Sequence, residues 1–214
     1  MQLKSIFVGK PKEVPYNGEI ISSGIFKKEV TGAVKVNKFN LEGDKQADLT
    51  VHGGEFKAVY AYPVEHYDYW NKKRPDLQFQ PGIFGENLCV SGLLENDVNV
   101  GDRYKIGTAV FSVTIPRLPC YKLGIKMNDS KIVKDFMIAE RSGFYLKVIE
   151  EGVINPGDKI ELVYKDTYGL TISDLVKLYT TEKANKELLK KAIKAPSLQK
   201  DWQEKFAEKL RALS

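Results

Sequence analysis

The sequence contains only two cysteines, Cys89 and Cys120, among its 214 residues. Two cysteines cannot form the multiple disulfides that stabilise small secreted domains, so that class of protein is excluded. The chain also lacks a secretory signal and any run of 18 or more apolar residues, the length that a membrane-spanning helix requires. We therefore expect a soluble cytoplasmic protein with no membrane anchor.

A large excess of charge of one sign is also missing. The chain has 33 Lys and Arg against 28 Asp and Glu, a net charge of +5. Residues 165–214 carry 11 basic and 7 acidic side chains, which leaves residues 1–164 nearly neutral. The main part of the chain therefore gives no reason to expect nucleic-acid binding.

Short strands separated by glycine-based turns dominate the first 165 residues. The predicted strands are Leu3–Val8, Ala33–Asn37, Lys57–Tyr62, Asn87–Val90, Tyr104–Ile106, Ala109–Ile115, Tyr145–Ile149 and Lys159–Val163. Apolar spacing predicts two helices among them, Pro63–Lys73 with Pro63 in its first turn, and Ser130–Glu140 with Ser130 as its N-cap. This density of short strands favours a mainly β protein, built as an antiparallel barrel or sandwich.

The composition changes after residue 165. Lys, Glu, Leu and Ala dominate, and their spacing predicts three short amphipathic helices. Thr171 or Ser173 is expected to cap the first helix, the second to follow Thr181, and Ser197 to precede the third. We predict a barrel domain over residues 1–165 and a three-helix subdomain over 166–214. Because short helices bury little surface alone, the subdomain should pack on the barrel or on a partner.

The most unusual segment is residues 114–121, in which a strand runs into two prolines and then into Cys120. Prolines end a ladder of hydrogen bonds and stiffen the exit from a strand. Arg117 lies three residues before the thiol, and a nearby guanidinium favours the thiolate, which attacks electrophiles or binds soft metals. The alternative, a buried structural cysteine, stays open. Cys89, among apolar strand residues, is expected in the core.

Two glycine-rich loops, residues 43–54 and 81–87, supply further polar groups. Backbone amides beside paired glycines can approach an anion closely, and Lys57 could add charge there. Either loop could equally be a simple barrel turn. His52, in the first loop, is favoured over His66 as a functional residue because loops carry sites more often than helix faces do. We expect His66 to be a packing or surface residue.

Together these motifs resemble the MOSC domain, the module named for the C-terminal part of molybdenum-cofactor sulfurases, in its small bacterial YiiM-type form. The resemblance covers residues 1–165, and the tail resembles the three-helix extension of that type. The motifs that carry it are Gly43 to Asp48, Val51 to Gly54, Pro81 to Leu88, Gly101 to Arg103, Pro116 to Cys120, Gly143 to Tyr145 and Pro156 to Asp158.

The resemblance implies a MOSC-type β-barrel that binds the molybdenum cofactor. Cys120 matches the family's site cysteine and is expected to ligate molybdenum, with Arg117 as its catalytic neighbour. His52, Lys57 and Asn87, together with Arg117, are expected to bind the anionic and pterin-phosphate groups of the cofactor.

The resemblance further implies an enzyme that reduces N-hydroxylated small molecules, such as hydroxylamino-purines. Because the sequence has no evident flavin, haem or iron–sulfur motif, electrons would come from a partner reductase. The alternative is a carrier without catalytic activity, which would hold sulfur as a persulfide on Cys120 or deliver the cofactor. Two roles remain open for the basic tail, docking of a reductase or nucleic acid and, more favoured, a solvated helical face.

Overall fold

The protein is described by a computed structural model that covers residues 1–47, 54–180 and 185–213. The strands are β1 (Gln2–Val8), β2 (Lys12–Tyr16), β3 (Glu19–Ser23), β4 (Lys28–Val30), β5 (Val34–Asn37), β6 (Asn40–Leu41), β7 (Val59–Pro63), β8 (Leu88–Ser91), β9 (Arg103–Ile106), β10 (Ala109–Pro116), β11 (Phe144–Glu150), β12 (Gly152–Ile154) and β13 (Ile160–Tyr164). The helices are α1 (Glu65–Lys73), α2 (Tyr121–Met127), α3 (Lys131–Ala139), α4 (Ile172–Thr180), α5 (Lys186–Ile193) and α6 (Lys200–Arg211).

Eight strands form one sheet in the order β13-β9-β10-β11-β7-β8-β1-β4. Its pairs are antiparallel except for β7 and β8, which run parallel. The sheet closes on itself because the Leu3 amide donates to the Asp158 carbonyl at 2.9 Å and the Ile160 amide to the Met1 carbonyl at 3.1 Å. These bonds join β1 to β13, which confirms the predicted barrel. Strands β5, β6 and β12 form a small second sheet, and β2 and β3 form a hairpin.

Strand β7 is buried on both faces and divides the core in two. Val59 and Ala61 point into the barrel, and Tyr60 and Tyr62 point outward into an aromatic cluster. This division follows from the alternation of side chains along a strand. The cluster lies beneath α1 and α3, where the Trp70 indole donates to the Tyr62 hydroxyl at 2.7 Å. The outer face of β7 is therefore lined by aromatic side chains, Tyr60 and Tyr62.

Some predicted boundaries are wrong, for local reasons. Pro63 ends β7 instead of opening α1, and residues Glu55–Lys57 form a 3₁₀ turn before the strand. The Ser130 side chain does not cap α3. Instead the Asp129 carboxylate accepts the Lys131 amide at 2.9 Å. Helix α2 was not predicted, and neither were the short strands β2, β3, β4, β6 and β12, whose residues are mostly exposed.

The tail forms the three predicted helices. Thr171 caps α4 reciprocally with Asp174: the Asp174 amide donates to the Thr171 hydroxyl at 3.0 Å and the Thr171 amide to the Asp174 carboxylate at 3.1 Å. Asn185 caps α5. Ser197 precedes α6 as predicted, and its hydroxyl donates to Asp166 at 2.7 Å. Thr181 lies outside the described residues.

The tail packs on the barrel and shares its core. Leu175, Leu189 and Trp202 belong to the same cluster of buried apolar side chains as the barrel interior. The Ile172 amide also donates to the Val98 carbonyl at 3.0 Å, which fixes the start of α4 against the loop between β8 and β9. No helix in the described ranges is long and apolar enough to cross a membrane. The division into domains at residue 165 stays a prediction.

The shared core predicts that the tail and the barrel unfold together. Leu175→Ala should lower the free energy of unfolding by about 2–5 kcal/mol, the cost of truncating a fully buried leucine. In a Trp202→Phe background, the fluorescence of Trp70 reports on the barrel side alone. Denaturation followed at Trp70 should shift with Leu175→Ala and stay unchanged with Lys177→Ala, an exposed position on the same helix. An unchanged Trp70 midpoint in Leu175→Ala would show that the tail unfolds independently.

Candidate functional site

Cys120 lies where β10 gives way to α2. The strand ends at Pro116, and Cys120 adopts an extended conformation (φ −128°, ψ 173°) at the position just before Tyr121, the first residue of the helix. Its thiol is half-buried rather than enclosed in the core. The structural alternative of a fully buried cysteine therefore does not describe Cys120.

The thiol lines a cleft on the outer face of the barrel, with an empty volume of about 710 Å³ that includes space open to solvent. Arg117, Lys57 and Asn87 line the same cleft. Four of the five predicted site residues are therefore brought together from three separate segments of the chain. His52 lies outside the described residues.

Arg117 is a deeply buried charged group of the cleft. Only 6% of the residue is exposed, and its guanidinium lies between the rings of Tyr60 (5.3 Å to the centroid) and Phe136 (5.1 Å). Aromatic faces stabilise a cation but accept no conventional hydrogen bond. Among the described residues, Nη1 has no hydrogen-bond partner. An unpaired buried donor is costly, so Nη1 is a donor ready to bond an acceptor beyond these described residues.

The electrostatics keep Arg117 charged and its aromatic neighbours neutral. Burial acts to lower the pKa of Arg117, but Tyr60, Tyr145 and Cys120 raise it, and the net shift is upward. Burial raises the pKa values of Tyr60 and Tyr145, against the opposing effect of the guanidinium. Cys120 thus lies within electrostatic reach of the Arg117 guanidinium.

Asn87 supports the site with its polar atoms already bonded to the protein. Its side-chain amide donates to the Phe7 carbonyl at 3.1 Å and to Asp44 at 2.9 Å, and its oxygen accepts the Tyr60 amide at 3.1 Å. Asp44 also forms a very short ion pair with the buried amine of Lys27. The structure therefore assigns Asn87 a place in the wall that orders Asp44 and Tyr60.

The charge of the cleft is strongly positive. Its cations are Lys27, Lys45, Lys57, Arg117 and Lys122, and Asp44 is the only carboxylate among its described lining residues. Asp44 pairs with Lys27, and the described lining as a whole holds more cations than carboxylates. A concave surface with this imbalance attracts anions.

Lys57 connects the cleft to the tail. Burial lowers the pKa of its amine, Asp201 on α6 raises it, and Lys205 lowers it further. The start of α6 is therefore within electrostatic reach of the cleft. The backbone of Lys57 is fixed too, since the Gln46 side chain donates to its carbonyl at 2.8 Å.

Helix α2, which the sequence did not predict, begins right after Cys120 and contacts the β2–β3 hairpin and the segment that follows it. The Tyr121 ring stacks on Tyr16 of the β2–β3 hairpin at 4.9 Å. Lys122 donates to the Ser22 carbonyl at 2.9 Å and Lys126 to the Ile25 carbonyl at 2.9 Å. The i, i+4 spacing of the two lysines, which places them on one helix face, was a signal available in the sequence.

The second glycine-rich loop, residues 81–87, lies beside Ile25, the residue that Lys126 of α2 contacts. At Gly85, whose φ is +80°, a Cβ atom would come within 2.5 Å of Ile25 Cγ1, so glycine is required. Glu86 is buried, and burial raises its pKa. One of its oxygens accepts very short bonds from the Tyr67 hydroxyl and the Gly82 amide. The loop therefore packs against Ile25 in the lining of the cleft, and its own Gly82 amide holds the buried Glu86 carboxyl in place.

Cys89 is fully buried among the aromatic residues, as predicted. Burial and the neighbouring charge of Glu86 raise the pKa of its thiol to about 12. The two cysteines therefore differ in both exposure and environment. Within the described ranges, no group of three or more His, Cys, Asp or Glu could hold a metal ion.

Comparison with known protein families assigns the chain to a family. Residues 48–161 match the model of the MOSC domain. The chain belongs to the MOSC domain family.

Individual relatives agree over nearly the whole chain. YflK of Bacillus subtilis is 36% identical over 96% of this chain and 92% of its own length. The crystal structure of YiiM from Geobacillus stearothermophilus has a TM-score of 0.81 and 38% identity, covering 98% of both chains. A Gibberella moniliformis protein named reductase is 34% identical over 75% of this chain, which matches 29% of that longer protein.

The environment of Lys126 predicts a pH-dependent stability. Burial lowers its pKa from 10.5 to about 8, with smaller effects from nearby charges. The unfolded chain therefore binds more protons than the folded protein between these values, and the stability that Lys126 contributes rises with pH across the window. The increase is at most about 1.4 kcal/mol per pH unit.

Lys126→Arg is the matched control, because a guanidinium keeps its charge throughout this window. We expect the free energy of unfolding of the wild type, relative to Lys126→Arg, to grow as the pH rises from about 8 towards 10.5. Urea denaturation at a series of pH values measures this difference. A difference that stays constant would contradict the lowered pKa.

Proposed function

We propose that the protein binds the molybdenum cofactor in this cleft and reduces N-hydroxylated small molecules with electrons from a partner reductase. The observation that carries the proposal is the buried guanidinium of Arg117, with its unpaired Nη1, beside the half-buried thiol of Cys120. Membership of the MOSC family and the relative named reductase support it.

The residues fit the chemistry of such a cofactor. A phosphate-bearing pterin is an anion, and an anionic oxygen is the acceptor that the Arg117 donor needs. The excess of cations over carboxylates in the described lining of the cleft would favour the same charge. A thiolate is a soft ligand and suits molybdenum better than the oxygen and nitrogen groups around it. The donor set therefore combines one soft ligand with several anion-binding groups.

Each residue has a distinct part in this proposal. Cys120 would ligate molybdenum, and Arg117 and Lys57 would hold anionic groups of the cofactor. Asn87 would act indirectly, by ordering Asp44 and the backbone of Tyr60. His52 stays a proposed anion-binding residue, as the sequence suggested.

The reaction converts an N–OH group into N–H and water, and it consumes two electrons and two protons. The bound cofactor supplies a metal centre that takes part in two-electron chemistry. The chain itself supplies the position: Arg117, held against two rings, would bind an anionic group through Nη1, and the stiff exit from β10 fixes the thiol. The cations of the cleft stabilise negative charge where the cofactor binds.

Loss of the thiol should remove the metal. Protein isolated from a host that makes the cofactor should contain one molybdenum per chain, and Cys120→Ser should contain almost none, because a hydroxyl is a poor ligand for a soft metal. Elemental analysis measures the metal. Cys89→Ala is the control and should keep its molybdenum, since Cys89 is buried away from the cleft. An extra sulfur on Cys120, found by mass spectrometry without any metal, would favour the carrier alternative.

Loss of the guanidinium should weaken anion binding. Charged hydrogen bonds contribute about 1.5–3 kcal/mol, so Arg117→Gln should reduce the affinity for inorganic phosphate by roughly 10- to 100-fold. Calorimetric titration measures the affinity. Arg103→Gln removes an exposed guanidinium that lies over Tyr164 on the barrel, and its affinity should match the wild type. Equal affinities in both variants would contradict an anion site at Arg117.

A further inference from the structure

His66 and Glu95 form a buried pair that the proposed function does not use. Only 7% of His66 and 5% of Glu95 is exposed. The Nε2 atom of His66 lies 2.7 Å and 3.0 Å from the two oxygens of Glu95. A buried pair of this kind costs desolvation and is weak evidence for a stabilising role alone. Its second set of contacts suggests another role.

Glu95 also holds the corner that opens β11. The amide of Gly143 donates to Glu95 Oε1 at 2.7 Å. Gly143 has a φ of +60°, and a Cβ atom there would lie 2.4 Å from the Ala61 carbonyl and 2.9 Å from the rings of Tyr60 and Tyr62. The corner therefore fits against β7 with no room for a side chain, and the carboxylate fixes its backbone.

The same corner fixes Tyr60. The Tyr60 hydroxyl donates to the carbonyl of Ser142, the residue before Gly143, at 2.8 Å. The ring of Tyr60 lies 5.3 Å from the Arg117 guanidinium and 5.4 Å from the ring of Tyr145. Direct contacts thus run without a gap from Glu95, through the corner, to the Arg117 guanidinium.

We propose that Glu95, oriented by His66, is a positioning residue of the cleft: it fixes the Ser142–Gly143 corner, which holds Tyr60 under the Arg117 guanidinium. The pair lines a second cleft, bounded in part by α4, and does not line the cleft of Cys120. Its action there is therefore indirect. The inference rests on the proposed function in one respect, the anion-binding role of Arg117.

The test measures the affinity for inorganic phosphate by calorimetry and the free energy of unfolding by urea denaturation on the same variants. Glu95→Ala removes the acceptor for Gly143 and should lower the affinity by about 5-fold or more, within the usual range of coupling between sites. Glu95→Gln keeps an oxygen acceptor there, and its affinity should return to within about twofold of the wild type.

Tyr60→Phe removes only the hydroxyl and gives a milder variant should Glu95→Ala fail to fold. It should weaken phosphate binding in the same direction. In the Tyr60→Phe background, Glu95→Ala should cause little further loss, because the link between the corner and the ring is already cut.

The outcomes separate this inference from the proposed function. If Arg117→Gln binds phosphate as the wild type does, the anion role of Arg117 fails and the inference fails with it. If Arg117→Gln weakens binding but Tyr60→Phe does not, the positioning role is wrong and the anion site stands. Destabilised variants that keep full affinity would likewise assign the pair a structural role only.

Discussion

The candidate site depends on one interaction, the burial of the Arg117 guanidinium between the rings of Tyr60 and Phe136. The rings hold the charge out of water, and Nη1 has no hydrogen-bond partner within the described part of the chain. A cation placed in this way is preorganised for an anion, since little rearrangement is needed when the anion arrives. The cysteine, the lysines and the tyrosines of the cleft are arranged around this group.

The barrel makes that burial possible. Because side chains alternate along β7, the strand gives Val59 and Ala61 to the barrel interior and Tyr60 to the outer face. Helix α3 brings Phe136 over the same face, and the exit of β10 brings Arg117 between them. The two layers of the core therefore meet at the site, which makes its geometry a property of the whole fold rather than of one loop.

Local sequence signals predicted part of this arrangement. The rigid segment that ends in Cys120 and the glycine-rich loops were visible, because their chemistry depends on neighbours in sequence. The contacts of Arg117 with the rings of Tyr60 and Phe136 could not be predicted, since the two aromatic residues come from distant segments of the chain. The internal bonding of Asn87 and the pairing of His66 with Glu95 were hidden for the same reason, and no periodicity records such contacts.

The central claim is that this cleft reduces N–OH groups with a metal held by Cys120. The most direct measurement follows a hydroxylamino-purine incubated with molybdenum-loaded protein and a chemically reduced electron donor, with the product identified by mass spectrometry. We predict stoichiometric conversion to the amino-purine and water, lost in Cys120→Ser loaded under the same conditions. Persistence of the hydroxylamine with fully loaded, reduced protein would contradict the claim.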